Sequence, residues 1–196
     1  MRRATLSAAL LVALLCAPIA FGMDVGGAHF PERAQVISDG PELVLNGAGE
    51  RYILFIKIYA IGLYLPERRS TMQGVLTLKG PKRLLWVMRR DITGKRLKDY
   101  LAERINDPAQ ASEMTVLKAR MSELDRIIDS VGSLDKDATI AVDFFPGKGT
   151  VIRVNGQARG DPIPGEDFYN ALLAIWLSDR AKSPPLRAAL LGKSPS

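Results

Sequence analysis

Residues 45–67 read LNGAGERYILFIKIYAIGLYLPE and carry the strongest structural signal in the chain. Asn46, Gly47 and Gly49 offer the backbone freedom of a tight turn, while Ile53, Ile56, Ile58 and Tyr59 suit a pleated surface. Tyr52, Leu54, Ile56 and Ile58 alternate with Ile53, Phe55, Tyr59 and Ile61. The pattern predicts a turn feeding one long strand covered on both faces and interrupted only by Lys57.

Upstream, residues 34–37 and 43–45 predict brief strands around the turn Ser38-Asp39-Gly40-Pro41. Downstream, Pro66 to Ser70 break the long strand, and residues 75–78 and 83–88 predict two more, with Gly80-Pro81 between them. From Thr93 the period becomes helical: Leu97, Tyr100, Leu101, Arg104 and Ile105 share a face, and Thr93 is placed to cap it. Met114, Leu117, Met121, Leu124, Ile128 and Val131 form a second helical seam that Gly132 ends. Residues 139–145 and 150–154 flank Pro146-Gly147-Lys148-Gly149 as a hairpin, and Asn155-Gly156 turns the chain again. Phe168, Ala171, Leu172, Ile175 and Trp176 form the apolar face of a helix beginning near Pro164. Pro184-Pro185 starts a final short one. Strands, two helices, strands and two helices make an α+β fold with an antiparallel sheet covered by helices.

The N-terminus pairs Arg2 and Arg3 with an apolar stretch from Leu6 to Leu15 and reads as a secretory signal peptide over residues 1–22, cut after Ala20 or Gly22. A periplasmic location follows, with one domain over residues 23–196. Beyond Cys16 the chain holds no cysteine, and His29 is its single histidine, so thiol nucleophiles, disulfides and Cys/His zinc sites are not expected. No carboxylate run resembles a calcium loop, and no metal or other cofactor is expected. The formal charge of +6 is spread along the chain, and the aromatics sit in apolar runs, a distribution unlike that of nucleic-acid binders. Weak attraction to anionic lipid surfaces is all the charge supports.

Lys57, Tyr59, Ala60, Gly62, Tyr64 and Leu65 match a K-x-[Y/T]-A-x-G-x-Y-L pattern. With Thr93-Gly94 opening a helix and a tail of closing helices, the chain resembles the chalcone isomerase-like family over roughly residues 28 to 192. The resemblance implies an open-faced β-sandwich with a ligand cleft between sheet and helices. It also implies site positions: the strand threonine of plant isomerases falls at Tyr59, the helix tyrosine at Leu97, the asparagine at Arg104, and two late helix positions at Ile175 and Trp176. For the family's arginine, a gapless match lands on Gly47, and Arg51 is the nearest candidate. On a single regular strand Arg51 and Tyr59 lie roughly 26 Å apart, too far to grip one head group without a bulge or bend; Arg83, Arg89 and Arg90 are rival cations.

Ring closure by an isomerase needs donors facing developing negative charge. Leu97 and Arg104 remove two of them, which argues against efficient catalysis. The leading expectation is a non-catalytic member that binds an apolar small molecule such as a fatty acid, with Arg51 and Tyr59 orienting its carboxylate. The alternatives are an intramolecular lyase acting on an enone, and a protein that docks a periplasmic or membrane partner through the helical face from Met114 to Val131.

Overall fold

The computed structural model describes residues 22–37, 40–105 and 111–193; the side chains at 104, 105, 111–114, 116, 117 and 119 are outside that description. Of the signal peptide expected over residues 1–22, all but Gly22 lies outside the described residues. A short ribbon, β1 (Met23–Val25) and β2 (Ala28–Phe30), precedes β3 (Arg33–Gln35), β4 (Glu42–Ile53) and β5 (Ile56–Leu65). Then come α1 (Met72–Thr77), β6 (Lys82–Met88), β7 (Ile92–Thr93), α2 (Gly94–Ile105), α3 (Ala111–Val131) and β8 (Ser133–Leu134). The chain closes with β9 (Thr139–Phe145), β10 (Gly149–Val154), β11 (Gln157–Ile163), α4 (Glu166–Leu177) and α5 (Pro184–Leu190).

Seven strands form one sheet in the order β11-β10-β9-β6-β5-β4-β3, every neighbour antiparallel. The expected α+β class and helix-covered sheet are what the structure shows. Tyr59, Ile61, Leu63 and Leu65 of β5 point into the core shared with the helices. Ala60 and Tyr64 point to a second cluster with Phe30, Leu43, Leu45 and Phe145 on the far face. This half of β5 is therefore covered on both sides, as its two apolar faces predicted.

The long strand, however, is two strands. The register pairs Ile53 with Ile56, so Leu54-Phe55 is a two-residue turn in the middle of the apolar run, and Leu54 takes a left-handed φ of 55°. Apolar alternation continues unbroken through this turn, which is why periodicity alone missed it. The glycines read as a turn lie instead inside β4. A Cβ on Gly47 would sit 2.0 Å from the Ala189 carbonyl oxygen, and one on Gly49 would sit 2.8 Å from Leu186 Cδ1, so both are glycine because α5 packs directly on the strand. Asn46 fastens the same junction: its Nδ2 donates to the carbonyls of Arg69 (3.0 Å) and Leu190 (2.7 Å), and its Oδ1 accepts from Arg69 N–H (2.6 Å).

Two further expectations are corrected. Residues 75–78 are not a strand; Thr71 Oγ1 accepts from Gly74 N–H at 3.1 Å and caps helix α1, whose Val75 is buried. The segment after Asn155-Gly156, read only as a turn, forms the edge strand β11, whose Arg, Gly, Asp and Pro residues hide the strand pattern. The helix starts fared better. Thr93 Oγ1 accepts from Arg96 N–H at 3.3 Å as the cap of α2, and Gly132 ends α3 at φ 70°. The α3 seam is core: Leu124, Ile127 and Ile128 are buried, and Met121 and Val131 pack against them. That part of the face is thus not free to dock a partner, and the Met114 and Leu117 side chains lie outside the described residues.

Candidate functional site

Between the sheet and helices α2, α3 and α4 lies a cavity of about 400 Å³, within the range of small-molecule sites. Its walls are largely apolar. The sheet supplies Ile58, Trp86, Met88, Ile140, Val142, Ile152 and Val154; α2 supplies Leu97 and Leu101; α3 supplies Leu124, Ile127 and Ile128; α4 supplies Leu172 and Trp176. Leu97 and Trp176 narrow the space without closing it.

Arg51, Arg90, Asp91, Arg96, Asp99 and Glu103 line the cavity as well, and a hydrogen-bonded polar cluster forms part of the wall. Trp176 Nε1 donates to the Tyr59 hydroxyl at 3.0 Å, and the Tyr59 and Tyr100 hydroxyls share a hydrogen bond of 3.2 Å. Trp86 meets Trp176 edge-on, with ring centroids 5.2 Å apart, and holds the indole in place. Burial pushes the Tyr59 phenol well above its ordinary value, the Tyr100 hydroxyl raises it further, and the Trp176 bond and the nearby Arg51 guanidinium offset this in part. Tyr59 therefore stays a neutral hydroxyl at physiological pH, able to donate or accept.

The hairpin resolves the distance between Arg51 and Tyr59. They are directly paired residues on β4 and β5, so their Cα atoms lie about 5 Å apart across the ladder and not at opposite ends of a strand. Both line the cavity. The register shift between Arg51 and Tyr52 falls at this pair, a bulge of the kind that re-aims a side chain. Arg90 lines the cavity as well, and its Nε is buried without a hydrogen-bond partner. Neither guanidinium, Arg51 or Arg90, has an ion pair among the described residues. The other rival cations are committed elsewhere: Arg83 binds buried Asp143 through Nε (2.6 Å) and Nη2 (2.7 Å), and Arg89 binds Asp137 at 2.8 Å.

Of the positions expected from the sequence, Arg51, Tyr59, Leu97 and Trp176 thus come together around one cavity. Ile175 does not face it; this buried side chain borders a narrow crevice alongside, with Arg51, Tyr100 and Leu186. The Arg104 side chain lies outside the described residues. The reading from sequence missed Tyr100 as a polar wall residue. It stands three positions after Leu97, so one helical turn returns a hydroxyl to the wall where Leu97 has none. Among the described residues no cluster of carboxylates and histidine could hold a metal.

The arrangement can enclose an apolar chain and present the Tyr59 and Tyr100 hydroxyls and two guanidinium groups to its polar end, with Asp91, Asp99 and Glu103 also on the lining. No curated protein sequence matches the chain. In three dimensions it is similar to the crystal structure of a fatty-acid-binding protein from Arabidopsis thaliana, at 14% identity and a TM-score of 0.66, over 84% of this chain and 92% of that one. At that identity the likeness is one of fold. The family model described as chalcone isomerase-like matches residues 22–192, nearly the whole chain, and the protein belongs to the chalcone isomerase-like family.

Proposed function

We propose that the protein is a non-catalytic, periplasmic binding protein for an amphiphile with an acyl chain and an anionic head, such as a fatty acid. The observation that carries this reading is the apolar cavity bordered by Tyr59, Tyr100, Arg51 and Arg90, two of them cations without an ion pair among the described residues. The similar Arabidopsis protein is a fatty-acid-binding protein, which supports the reading. Burying about ten methylenes contributes about 8 kcal/mol before ordering costs, enough for micromolar affinity. A carboxylate at Arg51 adds a charge-assisted hydrogen bond. The periplasmic assignment rests on the leader pattern of residues 1–22, and N-terminal sequencing of the exported protein tests it: the expected mature start follows Ala20 or Gly22.

Native mass spectrometry of protein from its own periplasm, followed by denaturing extraction, is the direct test of the ligand. A bound fatty acid or related amphiphile is expected, and delipidated protein is expected to rebind it saturably. Refusal of fatty acids of every chain length overturns the proposal. The Tyr59–Tyr100 pair does supply two hydroxyls inside the cavity, the one observation that favours an intramolecular lyase. Incubation with chalcones decides that second reading, which ends if cyclisation runs at the spontaneous rate.

A further inference from the structure

The tip of the β4–β5 hairpin breaks two rules at once. Leu54 and Phe55 are 86% and 97% exposed, flanked by Ile53 and Ile56 at about half exposure, so four successive apolar side chains project into solvent. Leu54 also holds a left-handed backbone at φ 55° in a two-residue turn, where glycine, asparagine or aspartate is the ordinary choice. Neither feature helps the fold. Elsewhere the same chain makes a two-residue turn with Asn155-Gly156.

The tip lies beside the cavity: half-exposed Ile53 lines it, as does Arg51 two residues earlier. We propose that Ile53–Ile56 is a wedge that inserts into the surface of a lipid bilayer and brings the cavity mouth to the membrane. Size favours a bilayer over a protein partner. An aromatic side chain buries about 150–250 Å², so four side chains, two already half covered, fall short of the roughly 800 Å² per partner of a stable protein interface. Insertion into lipid needs no such area, because each apolar side chain contributes on its own.

Charge plays a small part. Arg51, Lys57, Arg90 and Arg96 surround the tip and mouth together with Glu50, Asp91, Asp99 and Glu103, and Lys57 pairs with Glu50 at 3.4 Å. Asp99 and Glu103 already pair with Lys95 and Lys182, which leaves a small positive excess, so attachment depends chiefly on the apolar tip and is somewhat stronger on anionic lipid. The docking itself does not require the ligand reading above; the claim that docking serves ligand exchange does rest on it.

Co-sedimentation of the mature protein with phosphatidylcholine vesicles, with and without phosphatidylglycerol, tests the wedge. Binding is expected to both. The Leu54→Ser/Phe55→Ser variant is expected to bind at least about tenfold more weakly, since each truncation removes the transfer of one apolar side chain. Its melting curve checks that it is folded, and it is expected to bind a fatty acid from solution as well as the parent does, because neither side chain lines the cavity. Phe55→Trp gives an independent readout: Trp86 and Trp176 are buried, so a blue shift on adding vesicles reports the tip entering lipid. Failure of the parent to bind either vesicle, or equal binding by the folded double variant, overturns the proposal. So does a parent that dimerises in solution through the tip and ignores vesicles. Vesicle binding that survives while fatty-acid uptake fails leaves the wedge standing and removes the ligand reading instead.

Discussion

Two hairpins joined by two-residue turns sit at different places in the sheet and follow different rules. β10–β11 turns on Asn155-Gly156, with φ of 49° and 80°, residues that accept the left-handed region without cost to the fold. β4–β5 turns on Leu54-Phe55, shifts register beside Arg51 by leaving Ile58 without a partner residue on β4, and brings Arg51 against Tyr59 at the cavity. The hairpin at the sheet edge obeys turn chemistry; the one that brings Arg51 to Tyr59 does not. The departure from local preference falls beside the cavity, and such departures are common at functional sites.

The same substitution in each hairpin gives the largest contrast. Gly47→Ala places a methyl group against the Ala189 carbonyl and forces α5 off the sheet, at an expected cost of about 3 kcal/mol or more. Gly156→Ala meets no atom within 4 Å and bears only the left-handed penalty, about 1–2 kcal/mol. Urea denaturation of both variants measures the difference. Equal losses would mean that Gly47 is a flexible link and not a packing site.

Gly47 also shows where the sequence stops being legible. A glycine that frees a turn and a glycine that admits a helix look identical in one dimension, because the second depends on Ala189, far along the chain. The four helices from Thr93 onward, the caps at Thr93 and Gly132 and the two-sided burial of Tyr59–Leu65 were readable, since each rests on local pattern. The Leu54-Phe55 turn was not, for it uses strand-forming residues at a position where the chain reverses. Missing that turn set Arg51 far from Tyr59. The cavity positions of Tyr59, Leu97 and Trp176 came from the family resemblance, whereas Tyr100, legible on the same helical face as Leu97, has no counterpart among the residues that resemblance implies.

Tyrosines separate the hairpins by pH. β5 carries Tyr59 and Tyr64, while β10 and β11 carry none. Burial raises the phenol of Tyr59, and likewise those of Tyr64 and of Tyr169 in α4. A phenol raised in the folded state binds its proton more tightly than it does unfolded, so its contribution is intact below the unfolded value of about 10 and is lost as pH rises above that. Lys82 acts oppositely: burial lowers its pKa despite Glu166, so stability rises with pH between its folded and unfolded values. Denaturation between about pH 10 and pH 12 is expected to show a steep loss, which Tyr59→Phe makes shallower by about 1.4 kcal/mol per pH unit. An unchanged slope would mean that Tyr59 titrates as if exposed.

The arginines sharpen the contrast further. Arg153 of β10 binds buried Asp143 at 3.2 Å, whereas Arg51 of β4 faces the cavity. Arg51→Met is expected to cost about 1.5–3 kcal/mol of fatty-acid affinity, roughly tenfold to a hundredfold, with little change in melting temperature. Arg153→Met is expected to lower stability and leave affinity alone. Calorimetric titration and thermal melting of the two variants distinguish a ligand arginine from a structural one; identical behaviour would erase the distinction.

The smallest effect bears most directly on why the hairpins differ. Grafting the second turn onto the first, as Leu54→Asn/Phe55→Gly, replaces a strained leucine with residues suited to a left-handed turn and removes two exposed apolar side chains. Stability is expected to rise by about 1 kcal/mol, because Asn-Gly no longer bears the left-handed cost that Leu54 does. A gain of this size means that the native tip is held against the preference of its own backbone and is retained for contact with something outside the fold. A loss would mean that Leu54 and Phe55 contribute to the packing of β4 and β5, and the difference between the hairpins would then be structural.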